Sequence, residues 1–232
     1  GYLHHRNTGR PFVIAKFAAS LDGRIASASG DARWVSGAEA RRWVHTMRTR
    51  VDAILVGSGT VLADDPELTA RPEGVIEPHQ PLRIALDSRG RIPATARMLG
   101  PRSLVVTTGA SPETWRTSLQ ETGAGVAILD ARNGRVSLDA LLDLLGERGV
   151  PTLLVEGGGE VLGAFFDERR VDRLYAVIAP IVIGARTAPS AVSGRGAEVM
   201  AAASRLRDTD VERLGDDILI TGVPVWPGAP SG

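Results

Sequence analysis

Residues Thr152–Phe166, TLLVEGGGEVLGAFF, decide the fold that we expect for this chain. The apolar run Thr152–Val155 is typical of a parallel strand covered on both faces, and Glu156 stands at its carboxyl end. The three glycines Gly157–Gly159 permit a tight turn that a ligand can approach without a Cβ in the way. A helix is predicted to begin directly after them, and its first N–H groups and its dipole suit a phosphate. An ordinary strand–turn–helix connection has the same pattern, so both interpretations stay open at this point.

The composition is that of an ordinary globular protein. The 232 residues are 43% hydrophobic and 23% charged, and 27 basic residues balance 27 acidic ones, so we expect no nucleic-acid or membrane partner. Cysteine is absent, which excludes disulfides and thiolate chemistry and is compatible with a cytoplasmic protein. The apolar run Leu174–Ala185 has 12 residues, fewer than the roughly 20 that cross a bilayer. The N-terminus lacks the apolar core of a signal peptide.

Alternating strand and helix patterns predict one three-layer α/β domain with a mixed, mainly parallel sheet. Helices vanish after about Arg169, and Gly215-Asp216-Asp217 separates two late strands as in a hairpin, so the terminal strands are expected to run antiparallel. We expect a linker-like segment at 1–11, a single domain over 12–223 and a flexible tail at 224–232. The predicted strands are Val13–Ser20, Ala53–Val56, Leu82–Leu86, Leu104–Thr107, Val126–Leu129, Thr152–Val155, Arg173–Ile178, Val182–Ile183, Val211–Leu214 and Ile218–Thr221.

Polar residues stand where several predicted elements end. Lys16 interrupts the first strand, either as an edge residue or with its amine in a cleft, and Leu21-Asp22-Gly23 predicts a turn after it. Ser36 and Glu39 form a capping-box pattern at the start of a helix, and Arg48 lies at the margin of the apolar stripe of that helix.

A second strand–glycine–helix junction, Gly57-Ser58-Gly59-Thr60, follows the next strand, and Asp64 and Asp65 precede a proline that should end its helical turn. Two adjacent acids without another clustered ligand make a poor metal site, and the four histidines form no ligand pattern, so we expect no metal. The sequence also lacks a P-loop, an H-E-x-x-H motif and a G-x-S-x-G elbow. Glycine turns without strong acid–base pairs indicate that a bound cofactor supplies the chemistry.

Four motifs taken together resemble a known family. These are Lys16–Gly23 (KFAASLDG), Gly57–Pro66 (GSGTVLADDP), Leu68–Arg71 (LTAR) and Leu154–Gly159 (LVEGGG). With them the chain resembles the reductase domain of riboflavin biosynthesis, which has the dihydrofolate-reductase-like fold, a three-layer α/β/α arrangement. In many bacteria that domain is the C-terminal half of a bifunctional deaminase–reductase. The resemblance runs from about Thr8 to Val223, whereas the zinc signature of the deaminase half is absent.

The resemblance implies reduction, by NADPH, of the ribosyl group of 5-amino-6-(5-phosphoribosylamino)uracil to a ribityl chain, with hydride delivered to C1′ of the ring-opened imine. Arg48 and Arg71 suit the substrate phosphate because a guanidinium grips phosphate through paired hydrogen bonds. The implied cofactor residues are Ala18, Trp34, Thr60, Asp64, Ser88, Gly158, Gly159, Glu160, Val161, Leu162, Gly163 and Ala164. The implied substrate residues are Ala32, Arg48, Leu68, Arg71 and Glu156, and the candidate catalytic residues are Lys16, Asp22 and Glu156.

The cofactor's adenosine 2′-phosphate is expected near Ser88, with Arg89 and Arg91 as its cations, while Asp87 keeps NADH as an alternative. Glu160 departs from the family pattern, and its charge should point away from a bound phosphate. Three other functions stay open: reduction of the non-deaminated pyrimidine, reduction of dihydrofolate, and a nucleotide-binding module without catalysis. The resemblance also implies a homodimer. The apolar segment Leu174–Ile183 and the terminal strands are expected to form a sheet edge that a second copy covers, or else the segment is a core strand.

Overall fold

The computed structural model describes residues 1–228, and these divide into two compact units. The first unit comprises Gly1–Phe12 and His45–Leu154. The second comprises Val13–Val44 and the described residues from Val155 onward. The predicted single domain over 12–223 stays a prediction.

The first unit is built on a sheet whose strands follow the order β8, β2, β3, β4, β5. The pairs β2–β3, β3–β4 and β4–β5 are parallel, in registers such as Leu55 opposite Ile84. Every residue of β2 and β4 is buried, as the continuous apolar runs predict for strands covered on both faces. The strands are β2 (Ala53–Gly57), β3 (Leu82–Leu86), β4 (Ser103–Thr107), β5 (Gly125–Ile128) and β8 (Thr152–Val155).

In sequence, one helix of the first unit precedes these strands and three lie between them. In α5 the leucine stripe is buried, and the hydroxyl of Ser137 caps the helix by accepting from the N–H of Ala140 at 3.3 Å. A two-stranded ribbon, β6 (Ala131–Arg132) with β7 (Arg135–Val136), was not predicted from the sequence because it is short and polar. The helices are α1 (Tyr2–Thr8), α3 (Ser58–Asp64), α4 (Glu113–Glu121) and α5 (Leu138–Glu147).

The N-terminal segment is more ordered than its linker-like sequence indicates. It contains α1, and the guanidinium of Arg10 contacts Asp143 at 2.6 Å and Asp139 at 2.9 Å on α5. The backbone of Gly9 approaches Gly146 so closely that a Cβ at Gly146 would lie 1.8 Å from the carbonyl oxygen of Gly9. These ion pairs and this close approach hold residues 9–10 against α5.

The second unit has the strand order β10, β11, β9, β1. β1 (Phe12–Ser20) runs parallel to β9 (Arg173–Ala179), whereas β11 (Asp217–Val225) is antiparallel to both β9 and β10 (Arg205–Leu214). The predicted terminal hairpin is therefore confirmed. The predicted strand Val182–Ile183 is wrong, because these residues lie in an irregular segment that follows β9.

The strands β9, β10 and β11 bear on the predictions made for the apolar segment, for the terminal strands and for the tail. Leu174, Val177 and Ala179 on β9 are buried, so this part of the apolar segment is a core strand. Nearly all of β10 is exposed and rich in charge, and charged side chains on an edge strand prevent it from pairing with other chains. β11 continues to Val225 into the expected tail, whose residues 229–232 lie outside the described part of the chain.

Two helices complete the second unit, α2 (Ala38–Arg48), which continues into the first unit, and α6 (Gly159–Asp167). A short 3₁₀ turn lies at Met200–Ala202. The start of α2 is capped from far along the chain, since the buried carboxylate of Asp217 accepts the N–H of Gly37 at 2.7 Å.

The irregular segment that follows β9, residues 181–196, lies directly against α6. The N–H of Ser193 donates to the carbonyl oxygen of Gly159 at 2.9 Å. A Cβ on Gly159 would lie 2.2 Å from the carbonyl oxygen of Ser190, and one on Gly163 would lie 1.2 Å from that of Ser193. Both glycines therefore serve backbone-to-backbone packing on one face of α6.

We expect Gly163→Ala to lower the free energy of unfolding strongly, because the obstructing atoms belong to the backbone and cannot rotate away. Overpacking typically costs about 1–3 kcal/mol, and we expect at least the upper end of that range. Chemical denaturation measures the effect. Gly59→Ala is the control, because a Cβ there meets nothing within 4 Å and should change stability by less than about 1 kcal/mol. An unchanged unfolding midpoint for Gly163→Ala contradicts the close approach.

Candidate active site

The glycine turn after β8 carries much of the predicted cofactor site. Glu156 is half-buried at the strand end, and Gly158 has φ 31° and ψ 143°, a left-handed φ that favours glycine. A Cβ on Gly159 or Gly163 would meet atoms of Ser190 and Ser193, so these two glycines also serve packing against the segment that follows β9. Gly158 is the N-cap residue of α6.

The remaining residues of the turn and of α6 differ in exposure. Leu162 is buried at 2% exposure, so its side chain belongs to the core. Val161 and Ala164 are half-buried. Glu160 is exposed, and the direction of its carboxylate relative to a bound phosphate stays a prediction.

Lys16 and Ala18 lie on β1, opposite Tyr175 and Val177 of β9, and both are half-buried. Their spacing of two puts both side chains on the same face of the sheet. Ala18 packs against a buried apolar cluster of the second unit, and Tyr175 packs against the same cluster. Lys16 is therefore the polar member of an otherwise apolar stretch of strand.

Asp22 is fixed in the turn after β1 by three donors. Its Oδ1 accepts from the hydroxyl of Ser20 at 2.6 Å and from the N–H of Ile183 at 3.0 Å, and its Oδ2 accepts from the N–H of Gly184 at 2.7 Å. These hydrogen bonds, that of Ser20 first, lower the pKa of Asp22 from 3.8 to about 2. At neutral pH Asp22 is thus a carboxylate and a poor proton donor.

Trp34 and Ala32 lie in the loop that precedes α2. The indole of Trp34 is 69% exposed, and the guanidinium of Arg41 lies 4.5 Å from its ring centroid. Ala32 is half-buried. The exposed aromatic face of Trp34 suits a flat heterocyclic ligand.

In the first unit the two arginines expected at the substrate phosphate converge on Thr69. Arg48 Nη1 donates to the carbonyl oxygen of Thr69 at 3.1 Å, and Arg71 Nη1 donates to its hydroxyl at 2.7 Å. The N–H of Arg71 donates to Nδ1 of His45 at 3.2 Å. Leu68, the neighbouring residue, is only 3% exposed and has a φ of 56°, so its side chain anchors a sharply bent backbone.

Glu67 was not predicted as a site residue. Its carboxylate contacts Arg71 and Arg97, two residues that are 26 positions apart in sequence. Partial burial raises the pKa of Glu67, but the charges and hydrogen bonds of Arg71 and Arg97 outweigh burial, and the pKa lies below its usual value. The sequence signalled neither contact, because residues 67–71 form no helix in which an i, i+4 spacing would bring side chains together and Arg97 is 30 residues from Glu67.

Thr60 and Asp64 lie at opposite ends of the short helix α3, and both are half-buried. The hydroxyl of Ser88, in the turn after β3, accepts the N–H of Val136 on β7 at 3.1 Å. The ribbon β6–β7 is thereby attached to the predicted 2′-phosphate position.

Asp87 is buried, and its carboxylate stabilises the turn in which it lies. Its two oxygens accept the N–H groups of Gly90 at 3.1 Å, Arg91 at 2.6 Å and Ile92 at 2.7 Å. The side chain of Arg91 donates to the hydroxyl of Ser58 at 2.6 Å, whereas Arg89 is exposed. A carboxylate so fully used by backbone donors is not available to hold a ribose hydroxyl.

Within residues 1–228 no group of three or more His, Asp or Glu side chains is arranged to hold a metal ion. In the same part of the chain no helix has the length and apolar character that a membrane span requires.

The strands and helices form a three-layer α/β fold with a mainly parallel sheet and antiparallel C-terminal strands, as predicted. Residues 11–220 match the family described as the RibD C-terminal domain, and the chain belongs to this family. It is 36% identical to riboflavin biosynthesis protein RibD of Bacillus amyloliquefaciens, over 96% of this chain and 60% of that protein. The chain thus spans about three-fifths of the length of that relative.

Two further comparisons extend this result. The chain is 37% identical to the 2,5-diamino-6-ribosylamino-4(3H)-pyrimidinone 5′-phosphate reductase of Archaeoglobus fulgidus, over 91% of this chain and 97% of that protein. The structure of Acinetobacter baumannii RibD superposes with a TM-score of 0.85 at 33% identity, covering 97% of this chain and 61% of that one.

We expect the backbone N–H groups of Ile183 and Gly184 to lose protection from hydrogen exchange at acid pH. Because the pKa of Asp22 is lowered from 3.8 to about 2, its carboxylate holds these groups fully above about pH 4 and releases them as the pH falls through 2. NMR exchange rates, corrected for intrinsic pH dependence, measure this. The N–H of Ile181, which donates to the backbone of Ala179, is the internal control. Protection that stays constant down to pH 1.5 contradicts the assignment, and Asp22→Ala should abolish protection at every pH.

Proposed function

We propose that this chain reduces the ribosyl group of 5-amino-6-(5-phosphoribosylamino)uracil to the ribityl form, with NADPH as the reductant, in riboflavin biosynthesis. The observation that carries the proposal is the convergence of Arg48 and Arg71 on Thr69, inside the family motif LTAR. The archaeal relative supports a reductase in particular, because the chain matches it over nearly its full length and its name describes a ribosylaminopyrimidine phosphate reductase.

The phosphate end of the substrate is assigned to Arg48 and Arg71. Their guanidiniums meet at one residue, so that one phosphate group can contact both through charge-assisted hydrogen bonds. Leu68 keeps this backbone in place from the core, and its own contact with substrate is through main-chain atoms. Ala32 and Glu156 are proposed substrate contacts in the second unit.

A reduced nicotinamide, when bound, supplies the hydride that converts the C1′–N double bond of the ring-opened substrate into a single bond. Lys16 and Glu156 are the side chains proposed to hold the ribose hydroxyls and the nitrogen that gains a proton. Asp22 is proposed to position the turn after β1, since its pKa of about 2 makes it a poor proton source at neutral pH. Water is then the proton source that these residues orient.

The residues of this chain fit a nicotinamide dinucleotide. Trp34 presents an exposed aromatic face, and Gly158 has a left-handed φ at the start of α6. The proposed cofactor contacts also include Ala18, Thr60, Asp64 and Ser88, while Gly159, Leu162 and Gly163 support the turn from inside. NADPH is proposed over NADH because the oxygens of Asp87 are already taken by backbone N–H groups.

The non-deaminated pyrimidine is a second candidate substrate, because the name of the archaeal relative describes a diaminopyrimidinone phosphate. The family resemblance also supports the proposal that the protein is a homodimer.

The purified chain should oxidise NADPH in the presence of either pyrimidine phosphate, and the faster of the two identifies the substrate. Loss of nicotinamide absorbance, with chromatographic detection of the ribityl product, is the measurement. Arg71→Ala should raise KM at least tenfold, because a lost charge-assisted hydrogen bond costs about 1.5–3 kcal/mol. NADPH binding without turnover of either pyrimidine would mean a binding module in place of an enzyme.

Arg89→Ala should weaken NADPH binding by about tenfold and leave NADH binding unchanged, because an exposed guanidinium loses a charge-assisted bond of about 1.5 kcal/mol to the 2′-phosphate. Arg91→Ala should have the smaller effect, since Arg91 already binds Ser58. Calorimetric titration with both cofactors measures the difference. If a variant that carries both Arg89→Ala and Arg91→Ala binds NADPH as tightly as the wild type, the 2′-phosphate is bound elsewhere.

A further inference from the structure

One carboxylate of the first unit bridges two arginines at the proposed phosphate site. Glu67 Oε2 contacts Arg71 Nη1, and Glu67 Oε1 contacts Arg97 Nη2. The side chain of Glu67 is 33% exposed, and those of Arg71 and Arg97 are 55% and 57% exposed. The bridge is therefore open to solvent and can be broken at small cost, since exposed ion pairs contribute about 0.2–1 kcal/mol each.

A third guanidinium lies at the same place. Arg48 contacts the carbonyl oxygen of Thr69, whose hydroxyl is bound by Arg71. Glu67 and Thr69 flank the buried Leu68, so all three arginines contact residues of the short segment 67–69. The contacts of segment 67–69 thus bring three guanidiniums to the carboxylate of Glu67 and to the hydroxyl and carbonyl oxygens of Thr69.

The backbone around Arg97 is also fixed to this region. Its N–H donates to Oδ1 of Asp65 at 2.8 Å, so residue 97 is held beside the end of α3. Asp65 and Leu68 both have left-handed φ values, 40° and 56°, which bend the chain so that Glu67 reaches Arg97. Arg97 is 30 residues away from Glu67 in sequence, and this bend, together with the hydrogen bond from Arg97 to Asp65, accompanies their contact.

We propose that Glu67 occupies the place of the substrate phosphate between Arg71 and Arg97, and that Arg97 is a third phosphate ligand. The proposal rests on the proposed function, because it concerns the phosphate group of the same substrate. A phosphate monoester carries about 1.5 to 2 negative charges and three acceptor oxygens, so it outcompetes a single carboxylate for the two guanidiniums. Glu67 then turns to solvent, and the guanidiniums keep their charge balance in both states.

The alternative is that Glu67 is a structural ion pair that holds Arg71 in position for the ligand. The two interpretations predict opposite effects of Glu67→Gln. If the carboxylate competes with phosphate, its neutralisation raises affinity for a sugar phosphate. If it positions Arg71, its neutralisation lowers that affinity.

The experiment is calorimetric titration of ribose 5-phosphate into the full chain, with ribose as the ligand that lacks a phosphate. Glu67→Gln should tighten ribose 5-phosphate binding by about threefold to fivefold, the value of one or two exposed ion pairs. Arg97→Ala in the Glu67→Gln background should weaken binding by about tenfold, because it removes a charge-assisted hydrogen bond to the phosphate where the ion pair between residues 67 and 97 is already absent. Arg148→Ala, which removes an exposed arginine at the end of α5, is the control for net charge and should have no effect.

The outcomes separate the two proposals. If Glu67→Gln weakens binding, or if Arg97→Ala has no effect in the Glu67→Gln background, the competing-carboxylate proposal is wrong even where Arg71→Ala still weakens binding. If neither Arg48→Ala nor Arg71→Ala changes ribose 5-phosphate binding, the phosphate assignment fails, and the role of Glu67 fails with it. NADPH affinity, titrated separately, should be the same for Glu67→Gln and wild type, which shows that the variant is folded.

Discussion

Two aspartate side chains hold the irregular segment 181–196 of the second unit by its backbone. Asp22 accepts the N–H groups of Ile183 and Gly184, and Asp167 accepts those of Arg195 at 2.8 Å and Gly196 at 3.1 Å. Between these ends the N–H of Ala191 donates to Gly23, and that of Ser193 to Gly159. A stretch of this length without helix or strand would otherwise leave many backbone groups unsatisfied. The turn after β1 and the start of α6 are consequently held by the same contacts.

In the first unit, aspartate carboxylates also accept hydrogen bonds from backbone N–H groups. Asp87 accepts the backbone of its own turn, and Asp52 accepts the N–H of Thr152 at 3.0 Å. Of the carboxylates at the predicted site, those of Asp22 and Asp87 are occupied by backbone donors, which leaves fewer side chains for acid–base chemistry. This pattern agrees with a reaction in which the protein mainly positions substrate and cofactor.

The sequence predicted the buried strands best because a parallel strand covered on both faces reads as a continuous apolar run, as in Ala53–Gly57. The hairpin between β10 and β11 followed from its turn residues. The helix α1, the ribbon β6–β7 and the first half of β10 were missed, because they are polar and depend on partners elsewhere in the chain. Val182–Ile183 was misassigned because its apolar side chains resemble a strand although its backbone is bound by Asp22.

The candidate site was predicted in part for similar reasons. Motifs located Arg48 and Arg71, since both stand at fixed positions relative to recognisable local patterns. Arg97 and the bridging role of Glu67 could not be predicted, because they arise from a tertiary contact 30 residues apart in sequence. The packing role of Gly159 and Gly163 was likewise not visible in the sequence, since a glycine permits either a ligand or a neighbouring backbone to approach.

The way in which segment 181–196 is held has a consequence for sequence variation. Its path depends on main-chain atoms of the segment and on a few residues outside it, so the exposed side chains within it, such as Arg186, Thr187 and Val192, carry little of the architecture. A protein engineer could therefore replace these side chains while the backbone keeps its course. The backbone of the segment is fixed while its exposed side chains can be exchanged. A directed-evolution library could therefore vary these side chains without a separate selection for folding.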